Sequence, residues 1–150
     1  MTDWREVQRF GDCPDGVTSI LRPSVYGLLR DADGAIAVVR APDGVFLPGG
    51  GIDAGETPVE ALVREALEEC GLLVRVGGCV ARAIQFTAAE SGRVFEKQCL
   101  FFEVETLEER PEARHPGHET LWLEPSAAAG LFSHPSQAWA VRTWIELSRP

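Results

Sequence analysis

Apolar and polar residues alternate along this chain in patterns that predict short strands in both halves, with helices between and after them. Strands are expected at 24–29, 35–40, 45–47, 72–86 (broken at Gly77 and Gly78), 94–105 and 121–123. Helices are expected from Pro58 to Cys70 and over 125–131 and 135–147, and polar loops over 87–93 and 106–117. Strands mixed with helices on either side predict an α/β fold, with a mixed sheet in an α/β/α sandwich.

The chain length predicts one domain over residues 1–150, because 150 residues are enough to bury a substantial core. The first 18 residues show no sustained period and are expected to form a loosely structured lead-in. Trp4, Val7 and Phe10 are its candidate anchors.

The central helix has the clearest boundaries. Thr57 is a suitable N-cap, Pro58 suits the first helical position, and Glu60 completes a Thr-x-x-Glu capping box. Gly71 predicts the end of the helix, because glycine readily adopts the left-handed conformation common there.

This helix carries an apolar and an acidic face. The apolar face consists of Val59, Leu62, Val63, Ala66 and Cys70. Glu65, Glu68 and Glu69 stand three and four residues apart on the opposite face, and Glu56 lies just before the cap. Such carboxylates repel one another, and a divalent cation with a preference for oxygen ligands would relieve the repulsion. A solvated acidic face is the alternative interpretation of the same three glutamates.

The spacing from Gly50 to Leu72 resembles the signature of the Nudix hydrolases, G-x5-E-x7-R-E-U-x-E-E-x-G-U, where U is a bulky aliphatic residue. Every fixed position is filled, and the one departure is Ala66 at the first U. A match at this many positions is far more specific than an isolated glycine motif. The resemblance implies the α/β/α sandwich of that family.

The resemblance also implies a reaction, the hydrolysis of a nucleoside diphosphate linked to another group. It implies Mg²⁺ or Mn²⁺ as cofactor, and as its ligands Gly49, Glu56, Glu65, Glu68 and Glu69. Glu68 or Glu65 is the expected general base, and Arg64 is expected to orient the carboxylates.

Candidates for substrate binding lie outside this stretch. Arg40 is a candidate phosphate contact, Phe46 a candidate for base stacking, and Glu119 a candidate additional ligand or base. A surface ion pair, a core aromatic ring and a solvated loop glutamate are the respective alternatives. Tyr26 and Phe86 are further stacking candidates, His115 and His118 are expected at the surface, and Trp122, Trp139 and Trp144 are expected to pack.

The substrate follows only by elimination. Features typical of the coenzyme A, ADP-ribose and dinucleoside polyphosphate branches are absent near the signature, which leaves a MutT-like nucleoside triphosphate pyrophosphatase. A nucleotide sensor without turnover and a pyrophosphatase of a non-nucleotide diphosphate are the alternatives.

Net charge and cysteine usage restrict the partners and the cellular compartment to be expected. A net charge of -9 argues against a nucleic-acid polymer as partner, whereas 13 arginines and one lysine leave local sites for small anions. Four cysteines without a CxxC pair predict reduced thiols in the cytoplasm. No signal peptide or membrane span is expected, and a homodimer is an alternative to a monomer.

Overall fold

Two β-sheets and three α-helices make up the computed structural model, which describes residues 2–150. The strands are β1 (Gln8–Phe10), β2 (Ile20–Leu29), β3 (Ile36–Ala41), β4 (Gly44–Phe46), β5 (Gly49–Gly51), β6 (Leu72–Ala88), β7 (Val94–Glu109) and β8 (Glu119–Leu123). The helices are α1 (Pro58–Cys70), α2 (Pro125–Ala129) and α3 (Pro135–Leu147), with a 3₁₀ helix at Pro111–Ala113.

The larger sheet is mixed and has the strand order β1-β6-β7-β2-β5. Its β1–β6 and β2–β7 pairs are parallel, whereas β6–β7 and β2–β5 are antiparallel. The smaller sheet, β4-β3-β8, is antiparallel throughout. The predicted α/β fold with a mixed sheet is therefore confirmed.

The two faces of the larger sheet bury different elements. On one face, Leu62 of α1 packs with Val25, Leu100 and Phe102. On the other face, Phe101 belongs to a core shared with the smaller sheet and with α3. Successive residues of β7 thus point to opposite layers, as the period of a strand requires.

Three differences from the predicted elements affect the site. Residues 49–51, which lie outside every predicted strand, form β5 and pair with Ser24, Val25 and Tyr26 of β2. Gly77 and Gly78 do not end β6, because the β6–β7 ladder passes them with a shift of register between Val76 and Cys79. β7 continues to Glu109, so the loop expected over 106–117 begins later.

The N-terminal segment differs from the expected loosely structured lead-in. Gln8–Phe10 form β1, which pairs with Ala83–Gln85 of β6. The ring of Phe10 lies 5.6 Å from that of Trp139 on α3, centroid to centroid. Long-range pairing of this kind leaves no local sequence pattern, so the sequence did not predict β1. Phe10, a candidate anchor of the segment, does contact the core. Met1 lies outside the described residues.

The apolar face of α1 is rotated slightly from the prediction. Ala61, Leu62 and Ala66 are buried, whereas Val59, predicted to face the core, is 46% exposed. The acidic side of the helix consequently turns toward β5. None of the helices described over residues 2–150 combines the length and apolarity that crossing a membrane requires.

Candidate active site

The start of α1 fixes the direction of its acidic face. Thr57 Oγ1 accepts a hydrogen bond from the Glu60 backbone N–H at 3.1 Å, and Glu60 Oε1 accepts one from the Thr57 N–H at 3.0 Å. Gly71 ends the helix with a φ of 65°. The predicted capping box and glycine cap are confirmed, and they set the rotation that presents the glutamates.

Arg64 lies at the centre of these glutamates. Its Nε and Nη2 donate to the two oxygens of Glu56 at 2.7 and 2.9 Å, and its Nη1 donates to Glu65 Oε1 at 3.0 Å. A longer contact of 3.5 Å joins Nη1 to Glu68 Oε2. These contacts agree with the orienting role expected for Arg64, which stays a prediction.

Glu56 is held in place by the same network. In addition to both bonds from Arg64, its Oε1 accepts a hydrogen bond from the Asp53 N–H at 2.9 Å. The Arg64 guanidinium first, and then the Asp53 amide, lower the pKa of Glu56 to about 2. Nη2 of Arg64 also contacts the Gly51 carbonyl at 3.3 Å, which joins β5 to the cluster.

Glycine is required where β5 meets α1. Gly49 has a φ of 143°, and a Cβ there would lie 2.1 Å from the Val25 carbonyl oxygen. Its N–H donates to Glu69 Oε1 at 2.8 Å. A Cβ on Gly50 would lie 3.0 Å from Glu65 Oε1. The two glycines thus bring backbone groups against two glutamates of the cluster.

Glu69 is the glutamate most perturbed by its surroundings. Its side chain is only 14% exposed, and burial raises its pKa to about 8 despite the hydrogen bond from Gly49. Burial also raises the pKa of Glu65, and the bond and charge of Arg64 oppose that shift. A buried carboxyl without a counter-charge holds its proton, whereas a bound cation would favour its ionised form.

This pKa shift predicts how stability depends on pH without a cation. The folded chain keeps a proton on Glu69 up to about pH 8, whereas the unfolded chain loses it near pH 4.5. The free energy of unfolding should therefore fall as pH rises from about 4.5 to about 8. Glu56, with its pKa near 2, contributes only below this window.

Urea unfolding in EDTA at several pH values checks this prediction. Glu69→Gln should show a flatter dependence than the native chain, because its amide does not titrate. Equal slopes for the native chain and this variant would rule out Glu69 as the source.

A cavity of about 200 Å³ opens beside the cluster and includes Gly49, Gly50 and Glu69 in its lining. Phe46, predicted from the sequence, also lines it, and its ring meets that of His134 edge-on at 5.2 Å between centroids. The cavity lining further includes Asp43, Lys97, His118 and His134, none of which the sequence indicated as site residues. They come from separate elements, so no local spacing joins them.

Arg40 and Glu119 are not among the residues that line this cavity. They lie opposite each other on β3 and β8, and Arg40 Nη2 contacts Glu119 Oε2 at 2.5 Å. Both side chains are more than half exposed, so the structure shows the surface ion pair considered as the alternative for Arg40. His118, expected at the surface, instead places Nε2 4.0 Å from Glu69 Oε2.

The candidate ligand atoms of the glutamates and of the Gly49 carbonyl are all oxygens, which suits a hard cation such as Mg²⁺ or Mn²⁺. Burial raises the pKa of Glu69, and no arginine or lysine among residues 2–150 donates a hydrogen bond to its carboxyl, so a cation fits the chemistry there. Over residues 2–150, no three acidic, histidine or cysteine side chains are already arranged around one cation position. Arg64 lies between Glu56, Glu65 and Glu68.

The family model described as the NUDIX domain matches residues 20–145, which include every residue of this cluster. The chain belongs to the Nudix family. The family predicted from the Gly50–Leu72 spacing is thereby confirmed, and the predicted enzyme class, a Nudix-type pyrophosphohydrolase, agrees with it.

Curated relatives match a limited stretch of the chain. The RNA pyrophosphohydrolases of Xanthomonas campestris pv. campestris (strain B100) and Stenotrophomonas maltophilia (strain K279a) are each 45% identical over 62 residues. That stretch covers 40% of this chain but only 28% of each relative. The chain thus matches less than a third of the length of these relatives.

Solved Nudix structures match most of the fold. A NUDIX hydrolase from Nitrosomonas europaea has a TM-score of 0.69 at 19% identity, covering 85% of this chain and 90% of that one. The MutT protein from Methanosarcina mazei Go1 has a TM-score of 0.65 at 19% identity, with coverage of 89% and 100%. These likenesses support the fold, and the Nudix assignment itself rests on the family match.

Proposed function

We propose that this chain is a Mg²⁺- or Mn²⁺-dependent pyrophosphohydrolase that cleaves the phosphoanhydride of a nucleoside diphosphate linked to another group. The preferred substrate class is a nucleoside triphosphate, split into a nucleoside monophosphate and pyrophosphate, as in a MutT-like enzyme. The observation that supports this most is the convergence of four glutamates and the β5 glycines beside an open cavity.

Glu65, Glu68 and Glu69 are the proposed cation ligands, together with the Gly49 carbonyl and Glu56. A divalent cation, when bound, would neutralise phosphate oxygens and favour ionisation of the attacking water. Arg64 keeps Glu56 and Glu65 in position through its four short bonds to Glu56, Glu65 and Gly51. Gly49 and Gly50 leave room for the substrate to approach, because they have no side chain.

Glu68 is the better candidate for the general base. Its side chain is 34% exposed and meets Arg64 at 3.5 Å, whereas Glu65 is 17% exposed and lies 3.0 Å from Arg64. Glu68 therefore has more freedom to accept the proton of the attacking water. The water oxygen forms a new bond to one phosphorus of the anhydride as the bond from that phosphorus to the bridging oxygen breaks. The bridging oxygen keeps the electron pair and leaves as part of the other product.

Phe46 is proposed to stack against the base, because it lines the cavity beside the cluster. Arg40 and Glu119 would contact substrate only if their ion pair opened. The cysteines are free, as a reducing cytoplasm would keep them, and a cytoplasmic location is part of the proposal. A homodimer stays a prediction.

A second candidate substrate is the 5′-triphosphate end of RNA. The partial relatives named RNA pyrophosphohydrolases favour it, whereas the net charge of -9 disfavours binding along a polynucleotide. A nucleotide sensor without turnover and a non-nucleotide diphosphatase complete the alternatives.

Chromatographic separation of the products, with phosphate and pyrophosphate release measured alongside, tests these assignments together. The panel contains nucleoside triphosphates, oxidised nucleotides, ADP-ribose, dinucleoside polyphosphates, isoprenoid and sugar diphosphates, and an RNA oligonucleotide with a 5′-triphosphate. We expect pyrophosphate from nucleoside triphosphates with Mg²⁺ and none with EDTA. Turnover confined to RNA or to non-nucleotide diphosphates would replace the substrate class. Thermal stabilisation by a nucleotide without any turnover would support a sensor.

A further inference from the structure

The cavity beside the cluster has two chemically different ends. Gly49, Gly50 and Glu69 line the end that belongs to the proposed hydrolytic centre. Asp43, Lys97 and His134 supply polar groups beside Phe46. These four residues come from the β3–β4 turn, β4, β7 and the start of α3, so the tertiary fold alone unites them. The mechanism of hydrolysis uses none of these three polar groups.

Lys97 is the only lysine of the chain and is half-buried in β7. No carboxylate among residues 2–150 forms an ion pair with it, whereas six of the 13 arginines have one. Burial lowers its pKa, and the nearby Asp43 carboxylate opposes that shift. Its ammonium group is therefore available to donate hydrogen bonds to a ligand.

His134 is neutral at the same end. Burial first, and then the positive charge of Lys97, lower its pKa to about 4, and Asp43 opposes the shift. Asp43 is exposed in the turn between β3 and β4 and lines the cavity. The end near Phe46 thus offers a cationic donor, an anionic acceptor and an uncharged ring, next to an aromatic surface.

We propose that Lys97 and Asp43 select a nucleobase with a lactam edge, in which a carbonyl oxygen lies next to an N–H group. Guanine, hypoxanthine and uracil have this edge: Lys97 would donate to the carbonyl oxygen and Asp43 would accept from the N–H. Adenine presents the reverse pattern, an amino donor beside a ring acceptor, which leaves both side chains unsatisfied. This inference rests on the proposed nucleoside triphosphate hydrolysis.

The test compares kcat/KM for GTP, ITP, UTP and ATP in the native chain and in Lys97→Met and Asp43→Asn. We expect the native chain to prefer the three lactam bases over ATP. Lys97→Met should lower kcat/KM about 10- to 100-fold for those three, chiefly by raising KM, with little change for ATP. Asp43→Asn, in an exposed turn, should weaken the same preference even if Lys97→Met folds poorly.

Arg22→Met is the matched control. Arg22 lies beside Lys97 in the neighbouring strand, stacks on Phe95 and does not line the cavity, so its loss should not alter base preference. Equal losses of kcat/KM for all four triphosphates in Lys97→Met, or no lactam preference in the native chain, would overturn the inference about base selection. Neither result would contradict the proposed hydrolysis. If no triphosphate is cleaved by the native chain, the proposed function fails and this inference fails with it.

Discussion

Replacing Glu69 by glutamine is expected to lower kcat about 10²- to 10⁴-fold and to leave the fold intact. Glutamine has the shape of the protonated glutamic acid, which is the form that burial favours, and its oxygen can still accept the Gly49 N–H. It cannot supply the negative charge that a cation would bind. The substitution should therefore lower activity while the chain stays folded. We would measure kcat with Mg²⁺ together with urea unfolding.

The matched control for this variant is Glu60→Gln on the same helix. Glu60 is exposed and belongs to the capping box, where glutamine also serves, and it contacts none of the clustered glutamates. Its kcat should stay close to the native value. Comparable turnover in Glu69→Gln and Glu60→Gln would show that the Glu69 charge is not needed.

Replacing Arg64 by methionine is expected to lower the free energy of unfolding by about 2 kcal/mol at pH 7 without added cation. The substitution removes the hydrogen bonds to Glu56 and Glu65 and the contact with the Gly51 carbonyl, and so leaves neighbouring carboxylates without a counter-charge. Mg²⁺ should restore part of the loss, because it would supply positive charge to the same oxygens.

Arg142→Met is the control for this effect, because Arg142 is exposed on α3 and belongs to none of the ion pairs over residues 2–150. Urea unfolding in EDTA and in Mg²⁺ would be compared for both variants. A loss in Arg64→Met no larger than that in Arg142→Met would mean that the guanidinium does not hold the cluster together.

The helix of the site was predictable because its determinants are local. Thr57, Glu60 and Gly71 act within a few residues of the turns that they fix, and the structure shows both capping bonds and the left-handed glycine. The acidic face follows from the same helical period. For this reason the spacing from Gly50 to Leu72 was sufficient to predict the family.

The strands β1 and β5 and the substrate side of the cavity depend on contacts between residues that are distant in sequence. β1 is stabilised by pairing with β6, and Gly49 joins a strand because it pairs with Tyr26. Lys97 lines the cavity from β7, 25 residues after the signature ends at Leu72, and His134 lines it from the start of α3. Arg40 forms an ion pair with Glu119, which lies 79 residues further along the chain. No local sequence period predicts contacts between residues so far apart. The residues on the substrate side of the cavity could therefore be identified only from the tertiary structure.

The binding of a divalent cation by the α1 carboxylates is the step on which the proposed hydrolysis depends. Calorimetric titration of Mn²⁺ into the native chain, Glu69→Gln and Glu60→Gln at pH 7 would measure that binding. We expect saturable binding to the native chain and to Glu60→Gln, and binding to Glu69→Gln at least about tenfold weaker. The same isotherm for all three proteins would contradict a cation site at Glu69.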